Sequence, residues 1–99
     1  MFAITYDLNV AAAHRHHPGR HQGAYSDIRR VLEQYGFARI QGSTYAANHE
    51  DQTQIFLALT ALRQLEWFGP SLNNIRVFRM EAGADFTEIM KSPTALPLR

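Results

Sequence analysis

The chain has 99 residues, 45% apolar and 19% charged, with a net charge of +1 when its histidines are neutral; that is length for one domain burying about 60–65% of its unfolded surface, and too little charge to draw polyanions by field alone. It has no cysteine, which excludes disulfides, thiol nucleophiles and cysteine-based zinc sites. No apolar run approaches the roughly 20 residues of a membrane span, and the start lacks the basic and apolar pattern of a signal peptide, so a cytoplasmic protein with no membrane partner is expected.

Phe2 to Leu8 alternates as a strand. Phe2, Ile4, Tyr6 and Leu8 form a bulky apolar face that should lie against helices. Ala3, Thr5 and Asp7 form the other face. A carboxylate on a core-like strand is costly unless it is solvated, paired or bound. Asp7 therefore either caps the following turn or belongs to a site.

Asn9 to Gln22 breaks the pattern, with one short helical turn expected at Ala11–Ala13. His14-Arg15-His16-His17-Pro18-Gly19-Arg20-His21 follows, and Pro18-Gly19 ends any helix there. This stretch reads as a solvated, variable loop. Two other readings stay open: a basic loop that meets phosphates, with Arg15 the leading contact, and a metal site.

Gly23 to Tyr35 predicts a helix with an apolar stripe of Tyr25, Ile28, Val31, Leu32 and Tyr35. Asp27 is read in its first turn, and Gly36 as the residue just past its end. Residues 37–47 predict two strands, or one strand bulged at Gly42. If the strand runs through Gly42, then Arg39, Gln41, Ser43 and Tyr45 share one face, which is either wet or a site. Asn48 is read as the cap of the next helix, with Ile55, Leu59, Leu62 and Leu65 as its stripe, and Phe56 and Ala58 widening it. Trp67-Phe68-Gly69-Pro70 ends that helix, Trp67 reading as packing. Asn74 to Glu81 predicts the last strand, and Asp85 opens a short helix to about Lys91.

The order is α+β, the ferredoxin-like βαββαβ pattern: a four-stranded antiparallel sheet with two helices on one face, plus a short C-terminal helix. Residues 1–92 form one domain and 93–99 a loosely ordered tail. Nothing in the sequence covers the second face of the sheet, so a homodimer through that face is expected, with Asp7 near its two-fold axis.

Certain segments look familiar together. They are the first strand ending Tyr6-Asp7-Leu8, Gly36-Phe37 through Gln41-Gly42-Ser43-Thr44-Tyr45, Leu65-Glu66-Trp67-Phe68, Ile75-Arg76-Val77-Phe78 and Asp85-Phe86-Thr87-Glu88-Ile89. In order and spacing they resemble the virulence-associated protein D (VapD) family, over nearly the whole chain to about Ser92. The resemblance implies a small endoribonuclease related to toxin–antitoxin toxins, with the dimeric ferredoxin-like fold of the small CRISPR adaptation nucleases. Those nucleases share an aspartate at the end of the first strand and a Gln-x-Ser-x-aromatic strand; the matching residues here are Asp7, Gln41, Ser43 and Tyr45. The histidine-rich loop departs from the family pattern.

RNA cleavage needs a base, stabilised charge on phosphorus and a proton for the leaving oxygen. Asp7 is the candidate base, or the ligand of a divalent ion such as Mg²⁺ that activates water. Ser43 is the second catalytic candidate, through a hydrogen bond to a phosphate oxygen. Arg39 or Arg15 would stabilise charge, Gln41 would contact substrate, and Tyr45 or Tyr6 would stack an unpaired base. Each has a bland counterpart: Tyr6 reads first as core, and Gln41 and Ser43 as satisfying backbone at a bulge. The expected function is cleavage of single-stranded RNA by a toxin-like or virulence-associated homodimer. The alternative is a non-catalytic dimeric module binding nucleic acid or protein, with an antitoxin protein as a partner.

Overall fold

The computed structural model describes residues 1–48 and 51–80. The elements are β1 (Phe2–Leu8), α1 (Val10–His16), α2 (Arg20–Gln34), β2 (Ala38–Gln41), β3 (Thr44–Ala47), α3 (Gln52–Arg63), α4 (Phe68–Ser71) and β4 (Leu72–Arg79). The four strands form one antiparallel sheet in the order β2-β3-β1-β4. That is the ferredoxin-like order, with β1 central because its alternation gives it a face to bury.

Phe2, Ile4, Tyr6 and Leu8 lie in the main core with Ala24, Ile28 and Leu32 of α2 and Ile55, Ala58 and Leu62 of α3. The helices thus cover the face that the sequence assigns them. α2 closes on Gly36, at φ +86°. The amide of Gly36 donates to the Glu33 carbonyl and that of Phe37 to the Leu32 carbonyl, the paired bonds of a Schellman end. Phe37 and Leu32, both buried, supply the apolar contact that accompanies it. Gly42, at φ +52°, begins the two-residue turn that joins β2 to β3, so the two-strand reading of residues 37–47 holds.

Several expectations change. The single turn at Ala11–Ala13 is a full helix, α1, capped by the Asn9 side chain, which accepts from the Ala12 amide. α2 begins at Arg20, three residues before the expected start, so Asp27 stands well inside it and has partners other than the helix dipole. Asp51, not Asn48, caps α3, accepting from the Thr53 amide. Phe56 points to solvent, 70% exposed, because the buried stripe runs through Ile55, Ala58 and Leu62. Gly69 and Pro70 do not simply stop a helix; they lie in the short α4. β4 runs from Leu72 to Arg79, two residues ahead of the expected span. The predicted helix from Asp85 and the tail lie outside the described residues.

The second face of the sheet, helix-free among the described residues, is not bare. Ala3 and Ala46 pack with Met1, Phe78 and Met80 in a second small cluster. Beside them the hydroxyls of Thr5 and Thr44 meet at 3.2 Å, and both residues are buried. Small side chains on this face sink between larger neighbours on adjacent strands.

Candidate active site and a neighbouring pocket

Register assigns each candidate to a side of the sheet, since directly paired residues point the same way. Asp7 pairs with Asn74, Thr5 with Arg76 and with Thr44, and Ala3 with Phe78. Asp7, Asn74 and Arg76 therefore share the helix-free face. The register shifts between Asp7 and Leu8, leaving Asn73 as the extra residue on β4. Such a bulge re-aims side chains at a strand end. Here it brings the Asn73 amide onto Asp7, with Nδ2 donating to Oδ2 at 3.2 Å. The Asn74 Oδ1, on the same face, is buried with no hydrogen-bond partner among the described residues. Arg76 is exposed and one diagonal step from Asp7, about 7–8 Å on a paired sheet. Gln41 takes Thr44 as its register partner and is exposed.

The other candidates lie across the sheet. Tyr45 pairs with Ile4 and Arg39 pairs with Tyr45, which puts both on the helix side. They border a pocket of about 480 Å³ between α2 and the β2–β3 turn. Its floor is Tyr6 and Tyr45, almost fully buried, their rings stacked at 6.4 Å. Tyr45 is 2% exposed, with the Tyr6 ring beside it. The Ser43 side chain hydrogen-bonds Tyr6 and also lines the pocket. Arg39 Nε donates to the Gly42 carbonyl at 2.9 Å. From α2 come Tyr25, Ser26 and Arg29, which no strand pattern points to; their signal is the i, i+1, i+4 spacing on one helical turn. Arg15, exposed on α1, joins neither group.

Electrostatics separates the tyrosines. Burial pushes the Tyr6 hydroxyl far up, against the pull of Ser43. Burial also raises Tyr45, while Arg29 and Arg39 pull it back down. Tyr25 is raised by burial and then by the negative charge of Asp7. By register and lining, the pocket and Asp7 are at the same end of the sheet, on opposite sides of it. The backbone agrees: the Tyr6 amide, next to Asp7, donates to the Ser43 carbonyl.

The histidine-rich stretch is not one loop: it spans the end of α1, a turn and the start of α2, with most of its side chains exposed and His17 packed inward. His17 is 9% exposed at its side chain; Nε2 meets Asp27 Oδ2 at 2.7 Å, and Nδ1 accepts from the Gly19 amide. Its ring meets Trp67 edge-on at 4.7 Å, so Trp67 is indeed packing. Among the described residues no three histidine, aspartate or glutamate side chains gather as a metal cluster.

A model of the family "CRISPR associated protein Cas2" matches residues 1–87. Over 92 residues the chain is 45% identical to the endoribonuclease VapD homolog of Neisseria gonorrhoeae, covering 93% of this chain and all of that protein. It is 42% identical to endoribonuclease VapD of Haemophilus influenzae over the same shares. It is 36% identical to endoribonuclease VapD of Dichelobacter nodosus, over 92% of this chain and 98% of that protein.

Proposed function

The chain belongs to the VapD endoribonucleases within the CRISPR associated Cas2 family, and we propose that it cleaves single-stranded RNA as a homodimer, with Asp7 taking the proton from the attacking 2′-hydroxyl. The observation that carries this reading is the bulge at the end of β1, which holds one Asp7 oxygen on the Asn73 amide and leaves the other for a proton. The 2′-hydroxyl is favoured over water because it is already joined to the reacting phosphate, an advantage in effective concentration that a lone carboxylate need not supply. As the O2′–P bond forms and the P–O5′ bond breaks, charge builds on phosphorus. Arg76 is the cation on the same face that answers it. The 5′-oxygen leaves with a proton from solvent. Gln41 reaches the strand from the same side. In the alternative in which Asp7 is a ligand rather than the base, Asp7 and Asn74 Oδ1, which has no hydrogen-bond partner among the described residues, are the oxygens that would hold a magnesium ion; when bound, it would neutralise charge on the phosphate. A toxin-like role with an antitoxin partner fits this activity, since an uncontrolled ribonuclease needs restraint.

The test compares a single-stranded RNA with the same strand carrying 2′-deoxy sugars at the mapped cut. The expected result is cleavage of the first, leaving a 2′,3′-cyclic phosphate end, and no cut at the deoxy position. Equal cleavage of both strands would remove the 2′-hydroxyl from the mechanism.

A further inference from the structure

We propose that the pocket between α2 and the β2–β3 turn is a second RNA contact, which grips a backbone phosphate and its ribose away from the bond that is cut. It rests on the RNA-cleaving reading; it uses neither Asp7 nor Arg76, and it gives Arg39 and Ser43 a binding role in place of the catalytic one the sequence suggests for them. The pocket opens on the helix side, and Asp7 stands on the other. Its occupant is therefore not the scissile phosphate.

The lining selects the chemistry. A volume of about 480 Å³ is the scale of a small-molecule site and accommodates one nucleotide unit. Two arginines border it. Arg39 is tethered through Nε to the Gly42 carbonyl, and among the described residues no hydrogen bond engages its terminal nitrogens. Arg29 is held by Glu33 at 3.2 Å in an exposed i, i+4 pair, a weak bond that a phosphate can displace. Both cations act on the Tyr45 hydroxyl, partly offset by Glu33, and both side chains line the pocket above it. Ser26 and Ser43 add hydroxyl donors at the wall. A neutral or cationic ligand would leave Arg39 facing the cavity with only a carbonyl partner and Arg29 with Glu33 alone. A phosphate takes both, with bidentate geometry open to each.

The position also suits a strand rather than a free ion. Tyr25 lines the pocket and lies within the field of Asp7. An RNA backbone that passes Asp7 on one side of the sheet can turn around the end of β1 and place a later or earlier phosphate beneath α2. The pocket would then add affinity and fix the strand's path without entering the chemical step.

The experiment measures binding of a 2′-O-methyl single-stranded RNA, which has no nucleophilic hydroxyl, to the full chain across a salt series. Arg29→Gln and Arg39→Gln should each weaken binding about tenfold and flatten the log–log salt slope by about 0.7. Arg39→Lys should recover part of the loss, and Arg63→Gln, on α3, should change neither quantity. Circular dichroism verifies that every variant is folded. Unchanged affinity and slope in both glutamine variants would overturn the pocket, while cutting of natural RNA by the unaltered chain would leave the nuclease reading standing. Conversely, arginine-dependent binding without cleavage of natural RNA would sustain the pocket and sink the nuclease.

Discussion

Asp7 and Asp27 illustrate two fates for a carboxylate in a small fold. Asp7 stands half-buried at a strand end, and among the described residues its one hydrogen-bond partner is the Asn73 amide, on one of its two oxygens. Asp27 is consumed by structure: it accepts from His17 and pairs with Arg30, and the His17 hydrogen bond holds its pKa below the ordinary carboxylate value. A depressed folded pKa means that Asp27 stabilises the fold above its unfolded value near 4. That contribution is lost as pH falls through the lower folded value. Asp27→Asn should therefore lower the melting midpoint at pH 7, and the gap to the unaltered chain should close below about pH 4. Thermal unfolding followed across pH checks this. A gap that persists unchanged at pH 3 would assign the effect to packing instead.

Among the elements, β1 is the most legible in sequence, because its period-two alternation survives intact from Phe2 to Leu8 and the helices cover the face it predicts. The end of α2 is legible for a different reason: Gly36 occupies a left-handed position that other residues resist. The α1–α2 corner is not legible. Four histidines around Pro18-Gly19 look polar and loose, yet His17 is buried by partners brought from Asp27, ten residues on, and Trp67, fifty residues on. Contacts of that separation leave no local periodicity. The corner also depends on a missing side chain. A Cβ at Gly23 would lie 2.6 Å from the His17 ring. Gly23→Ala would ordinarily favour a helix by close to 1 kcal/mol. Here it should destabilise by about 1–3 kcal/mol through overpacking, seen as a lower midpoint in chemical denaturation. A stabilised variant would show that the ring moves aside freely. The candidate site divides along the same line. Asp7 is readable from β1, but the grouping of Arg39, Gln41, Ser43 and Tyr45 on one face assumes an unbroken strand. The turn at Gly42 and the shift in β2–β3 register separate them, leaving Gln41 opposite Thr44 while Arg39 and Tyr45 border the pocket. Arg76 needed the β1–β4 register, which a single sequence does not contain.

At the scale of the molecule, likeness to VapD proteins over more than nine-tenths of the chain accounts for the fold order and the family. Assembly is a separate matter of surface. The helix-free face presents Asp7, Asn74 and Arg76 beside a small apolar cluster that includes Phe78. Pairing two such faces would bury apolar area and bring two copies of the site together. A dimer of this kind needs about 800 Å² from each partner. Sedimentation equilibrium should therefore return twice the 11.3 kDa chain mass, and Phe78→Glu should shift it to the single-chain value. A single-chain mass for the unaltered protein would confine the site to one copy of the sheet. The most direct measurement is the initial rate of cleavage of a single-stranded RNA by the unaltered chain and by Asp7→Asn, purified side by side and equally folded. Replacing the base should cost about 10²–10⁴-fold in rate while RNA binding persists. Equal rates from the two proteins would contradict the assignment of the chemistry to Asp7.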